Sequence, residues 1–181
     1  MSEKPTLSTA QDPNQEIIPN PVTLYTDDGI VLRQYATPED DLIFFAIQNE
    51  NREHIAEFGN KIYETLDEVK EARLNPKGAM RMGIWREGIL IGEVCAVSKD
   101  GEEAEMGIWL AKNVTGHGYA TSVLKTASVY AASKFRRVFA EVDPENSNSI
   151  NLLKRAGYHD TGETVERDWA NEPVLVFELL A

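Results

Sequence analysis

The chain has 181 residues, 42% of them hydrophobic and 27% charged, which suits one domain with a proper core and argues against disorder of the whole chain. Acidic residues outnumber basic ones 30 to 18, a formal charge of -12 that repels nucleic-acid phosphates and anionic lipid, so neither nucleic acid nor a membrane is expected as partner. Cys95 is the only cysteine, which excludes an intramolecular disulfide; inside the apolar run Ile89 to Val97 it reads as a small core hydrophobe. With no membrane-length apolar run and no signal-peptide pattern, the expected compartment is the cytoplasm.

Residues 1–20 are polar and carry Pro5, Pro13 and Pro19, the composition of a flexible leader, and residues 21–181 read as a single domain. Val22 to Thr26, the turn Asp27-Asp28-Gly29, and Ile30 to Tyr35 read as strand, turn, strand. Thr37-Pro38-Glu39-Asp40 is a helix start, a Thr cap followed by Pro and acids in the first turn. Leu42, Phe45 and Ala46 are the expected inward face of that helix, and short helices follow at Arg52 to Phe58 and Leu66 to Leu74. An antiparallel meander comes next: Ala79 to Trp85, Ile89 to Ser98 and Ala104 to Ala111, joined by turns at Arg86-Glu87-Gly88 and Asp100-Gly101. A long helix begins near Ala120. It is followed by a short strand (Val138 to Val142), a helix (Asn146 to Ala156) ended by Gly157, and strands at Tyr158 to Val165 and Pro173 to Leu180. This order describes an α/β, or mixed α+β, domain: a mixed sheet with helices on its faces.

Two stretches carry chemistry. In Trp109 to Ala120 a strand runs into a glycine-bearing loop that opens directly into a helix, so unpaired first-turn amides and the positive end of the helix dipole offer an anion site. A P-loop is excluded because Gly118 is followed by Tyr119-Ala120 instead of Lys-Ser/Thr, and Thr121 stands where the dinucleotide fingerprint needs a glycine. The second stretch is Glu141-Val142-Asp143-Pro144-Glu145-Asn146-Ser147-Asn148-Ser149. Here an apolar strand carries a carboxylate and a polar loop leads to a helix that Asn146 or Ser147 can cap. Glu141 is either a solvent-face residue or a carboxylate poised in a cleft as a base.

The segments GIWLAKNVTGHGYATSVL and FAEVDPENSNSINLLKRAGY resemble the GNAT N-acetyltransferases, and within them the RimJ/RimL type, which acetylates protein N-termini or small amines. The family's Gln/Arg-x-x-Gly-x-Gly/Ala turn is matched by Thr115, Gly118 and Ala120, and its strand Glu, Asn and Ser by Glu141, Asn146 and Ser149. VLRQYATPED and NREHI resemble its opening strand and first helices, so the likeness runs from about Val22 to Ala181. The resemblance implies a central mixed, mostly antiparallel twisted sheet of about six to seven strands with helices on both faces. It also implies acetyl-CoA as cosubstrate, with no metal, and an amine acceptor, either a cationic small molecule or a peptide N-terminus. Exposed strand edges often pair in this fold, which leaves a homodimer open.

By that resemblance the backbone of Ile108, Trp109, Leu110 and Ala111 pairs with the pantetheine arm, and the amides of Thr115, Gly116, His117, Gly118, Tyr119 and Ala120 hold the pyrophosphate. Asn146 hydrogen-bonds the arm, and Ser149 lies near the thioester sulfur and protonates the departing thiolate. Amine acetylation needs a base, because an ammonium has no lone pair. Glu141 is the first candidate, with Glu105 on the third meander strand as the second. A strand amide near Leu110 meets the oxyanion. Two positions depart from the pattern: Thr115 replaces the usual Gln or Arg, and Leu153 stands where RimI-type relatives carry a Tyr acid. These departures keep a rival reading in view, a non-catalytic acyl-CoA sensor or scaffold.

Overall fold

The computed structural model describes residues 17–57, 59–76 and 78–180, and most of the leader expected over residues 1–20 lies outside them. In chain order the elements are β1 (Thr23–Tyr25), β2 (Val31–Gln34), α1 (Pro38–Glu50), α2 (Arg52–Ala56), α3 (Leu66–Leu74), β3 (Ala79–Arg86) and β4 (Ile89–Val97). There follow β5 (Glu103–Leu110), α4 (Tyr119–Ala132), β6 (Arg137–Val142), α5 (Ser147–Ala156), β7 (Tyr158–Val165) and β8 (Val174–Leu179). All the strands join one sheet in the order β1-β2-β3-β4-β5-β6-β8-β7, eight strands where six to seven were expected, because even the three-residue β1 pairs in register with β2. Every pairing is antiparallel except β5 with β6.

The sheet has a core on each face, as alternation along its strands requires. Met82, Ile84, Val94, Ala96 and Met106 pack with Val123, Leu124 and Ala127 of α4 and with Leu152, Leu153 and Ala156 of α5. On the other face Tyr35, Leu90 and Trp109 pack with Phe44 of α1, Ile55 of α2 and Val69 of α3.

The start of α1 follows its sequence closely. Thr37 accepts from the Asp40 amide at 3.2 Å, while the Asp40 side chain accepts from the Ala36 and Thr37 amides, a capping box with Pro38 in the first turn. Its inward face, however, is built from Asp40, Asp41, Phe44 and Gln48, while Leu42 is 57% exposed. Each buried polar group is satisfied. Arg33 pairs with Asp40 at 2.7 Å, Arg73 grips Asp41 through Nε and Nη2 at 2.7 and 2.8 Å, and Gln48 brackets Tyr63 through its backbone N–H and C=O. These bonds tie α1 to β2, to the α2–α3 connection and to α3, fixing the helical layer that walls one side of the cleft described next.

Candidate functional site

A single feature of the sheet creates the site. β5 and β6 pair only through Glu103↔Arg137, Ala104↔Val138 and Glu105↔Phe139. Beyond these residues the strands part: Met106 to Leu110 continue against β4 alone, while Ala140 to Val142 continue against β8. Near the open end of β5, β4 carries a bulge: Ile84 faces Gly92 and Trp85 faces Leu90, so that Ile91 is an extra residue, and its carbonyl accepts from the Ala111 amide at 2.8 Å. Such a bulge increases local twist. The separation leaves the β6-facing edge of Met106 to Leu110 without a strand partner and opens a slot lined by Met106, Ile108, Glu141, Asn146, Ser149 and Leu153.

At the open end of β5 the chain makes a 3-10 turn over Lys112–Val114 and then enters α4 through Thr115 to Gly118. Gly116 and Gly118 adopt φ of +83° and +86°, and a Cβ at either would meet nothing within 4 Å, so backbone and free space together form a cradle. No side chain caps α4, which leaves its first-turn amides for a ligand. The Thr115 hydroxyl donates to the Lys112 carbonyl at 2.9 Å and so braces the loop from within. His117 folds back on the same loop, its Nδ1 lying 3.1 Å from the Thr115 carbonyl, and stacks on Tyr119 at 5.7 Å between ring centroids. Arg86 lies over the other partner of that stack, 5.1 Å from the Tyr119 ring.

Asn146 is buried and caps α5, its Oδ1 accepting from the Ser149 amide at 3.0 Å. The cap and the slot position coincide: Asn146 and Ser149 both face the gap between β5 and β6. Asn146 Oδ1 is thus committed, and its amide nitrogen is the group left to meet a ligand.

Glu141 also lines the slot, with its side chain only 4% exposed. Both its oxygens are engaged by Arg167, from Nε at 2.6 Å and Nη2 at 2.5 Å. Glu105 lies on the same sheet face, paired beside Phe139 and two residues short of Glu141 along the parallel register. Burial, then the Glu141 charge, push the Glu105 carboxyl above its ordinary range, with Arg167 and Lys99 pulling the other way. Of the two carboxylates considered as base, Glu141 is held in an ion pair and Glu105 has its proton affinity raised.

Across Gly107 the slot meets a second, wider cleft of about 690 Å³ walled by α3 and by the α2–α3 connection. Gly107 and Asn60 line both spaces, and a Cβ at Gly107 would come within 3.1 Å of Cys95 Sγ. Cys95, expected in the core, is half-buried in the wall of this cleft; burial and the neighbouring Glu93 push its thiol up to about 12, far from a reactive thiolate. The floor holds a buried ion pair, Arg81 to Glu93 at 2.7 Å, with the guanidinium 4.7 to 5.4 Å from the rings of Tyr35, Phe44 and Tyr63. Asp67, Glu68 and Glu71 of α3 edge its mouth. Neither Arg167 nor the Arg81–Glu93 pair stands out in the sequence, since both depend on partners at least 12 residues away.

Among the described residues no group of three or more His, Cys, Asp or Glu side chains is placed to hold a metal, and no helix is long and apolar enough to cross a membrane.

A splayed parallel strand pair with a glycine turn and an uncapped helix beyond it is the architecture of an acetyl-CoA-dependent N-acetyltransferase. The chain belongs to the acetyltransferase (GNAT) domain family, whose model matches residues 30–159. Solved structures share the fold at low identity. RimL, the ribosomal L7/L12 alpha-N-protein acetyltransferase, superposes with a TM-score of 0.72 at 14% identity, covering 91% of this chain and 99% of its own. RimJ of Mycobacterium smegmatis, in complex with CoA-disulfide, gives 0.69 at 19% identity over 88% and 86%. The microcin C7 self-immunity acetyltransferase MccE, in complex with acetyl-CoA and AMP, gives 0.71 at 17% over 86% and 94%.

Proposed function

We propose that this chain transfers the acetyl group of acetyl-CoA to a primary amine by direct attack within a ternary complex. The observation that carries the reading is the parting of β5 and β6 beyond Glu105, a slot with one unpaired strand edge that leads to the amide cradle at Gly116 to Ala120. The similar proteins RimJ and MccE are named as complexes with CoA-disulfide and with acetyl-CoA, which supports the same ligand here.

Acetyl-CoA supplies the activated thioester carbon. The edge of Ile108 to Leu110 and the Asn146 amide hold the pantetheine arm, while Ala111, its amide bonded to Ile91 and its carbonyl to the Val114 amide, has no backbone group left for it. The amides of Thr115 to Ala120 with the α4 dipole hold the pyrophosphate. Glu105, half-buried beside the slot with its proton affinity raised above the ordinary carboxylate range, takes the proton from the incoming ammonium through water. Glu141, both oxygens gripped by Arg167, is committed to an ion pair and serves to fix the wall of the slot. A β5 amide near Leu110 steadies the oxyanion, and Ser149 delivers a proton to the sulfur as the C–S bond breaks and the C–N bond forms. Holding two reactants side by side provides most of the rate.

The wide cleft with Asp67, Glu68 and Glu71 at its mouth suits a cationic acceptor, a small amine or a peptide N-terminus. RimL acts on a protein α-amino group, and that class is one arm of the acceptor panel. Isothermal titration of acetyl-CoA is the first test. Micromolar binding is expected, and no binding would end the reading.

A further inference from the structure

The connection between β7 and β8, residues 166–173, has no role in the scheme above, yet it crosses the reacting end of the slot. Arg167 anchors it through the two hydrogen bonds to Glu141, and the Ala170 amide closes a turn on the Arg167 carbonyl at 3.2 Å. Between them the chain projects Trp169. One part of the indole occupies the space beside Gly59, so close that a Cβ there would be 2.5 Å from Cδ2 and 2.8 Å from Cε3. A side chain at position 59 would therefore expel the ring. The rest of the indole lines the slot beside Asn60, Glu141 and Ser149, and the residue remains 41% exposed.

Trp169 lines the slot and not the wide cleft, whereas Gly107 and Asn60 line both. An acceptor coming down the cleft passes Gly107 and then meets the indole. Leaving so large an apolar surface open costs free energy unless a ligand covers it. Resting on the acetyl-transfer reading, we propose that Trp169 is a specificity-determining residue: the end wall that limits the bulk an acceptor can carry on the carbon next to its amine, held in place by Arg167 acting on Glu141.

The test compares wild type, Trp169→Phe and Trp169→Ala on a straight-chain primary amine and its α-branched isomer. Removing the wall is expected to shift the ratio of kcat/KM values towards the branched amine by about tenfold or more, the discrimination that one methylene commonly carries. Trp169→Phe should stay close to wild type. An independent readout uses no turnover: by calorimetry on the CoA complex, the affinity of the branched amine relative to the straight-chain amine should rise in Trp169→Ala by a comparable factor and stay near wild type in Trp169→Phe. An unaltered kcat/KM ratio in Trp169→Ala overturns the proposal, and so does an unaltered ratio of the two amines' affinities. Wild-type protein that binds no acetyl-CoA by calorimetry sinks the acetyl-transfer reading itself, a result distinguishable from either. Should Trp169→Ala fail to fold, Trp169→Leu provides a smaller reduction in the same direction, with the ratio expected to shift the same way.

Discussion

Gly118 offers a clean way to ask whether the turn before α4 binds phosphate. Its φ of +86° lies in the left-handed region, which Asn and Asp tolerate equally well at a cost of about 1 kcal/mol. Gly118→Asn and Gly118→Asp therefore share the same backbone penalty and nearly the same volume, and nothing lies within 4 Å of the new Cβ in either. They differ by one negative charge. At an effective dielectric constant of about 20, a carboxylate about 5 Å from a phosphate charge costs about 3 kcal/mol. The turn is exposed, and solvent reduces this to about 1.5 kcal/mol, roughly tenfold in Kd. Calorimetry with acetyl-CoA should find the Asp variant about tenfold weaker than the Asn variant at low salt, with the gap narrowing as salt rises. Equal affinities for the two variants would refute a phosphate site at Gly116 to Ala120.

Three further outcomes follow from the geometry. The acid limb of kcat/KM should lie above the ordinary carboxylate range, because Glu105 must be deprotonated to act and its affinity for the proton is raised. Glu141→Gln removes one of the charges that raise it and leaves Arg167, which lowers it, so the limb should move to lower pH; a limb unmoved in Glu141→Gln would separate the two carboxylates. Gly107→Val should impair turnover with long acceptors while acetyl-CoA binding by calorimetry stays within about threefold, about 0.65 kcal/mol, since the new side chain closes the passage towards Cys95 and Asn60. Asp41→Asn breaks an ion pair whose side chains are 1% and 4% exposed, a loss of about 3 kcal/mol. In a chain of this length that should lower Tm by about 6 to 12 °C in a thermal melt.

Element order was legible because the strong local signals agreed. Thr37-Pro38 starts α1, Gly157 ends α5 with φ +98°, and α3 spans Leu66–Leu74 as expected. The inward face of α1 was not, because it is made of charged and amide side chains satisfied by Arg33, Arg73 and the Tyr63 backbone, partners that only the folded chain brings near. Hydrophobic periodicity instead points to Leu42, which faces outward. Glu141, Asn146 and Ser149, singled out by the family resemblance, do line the slot together, whereas residue type alone left Glu141 open between a solvent face and a cleft. Three features stayed hidden: the pairing of Glu141 with Arg167, the indole of Trp169 on Gly59, and the opening of Cys95 to the cleft. Each depends on strand register or on the course of a loop, which no local pattern encodes.

Amine-dependent release of CoA thiol from acetyl-CoA, measured for wild type and Glu105→Gln across small amines and peptide N-termini, bears most directly on acetyl transfer. Turnover by wild type with at least one amine is expected, falling by about 10²-fold or more in Glu105→Gln while acetyl-CoA still binds. Tight acetyl-CoA binding with no amine-dependent thiol release from any acceptor would contradict catalysis and leave a CoA-binding module in its place.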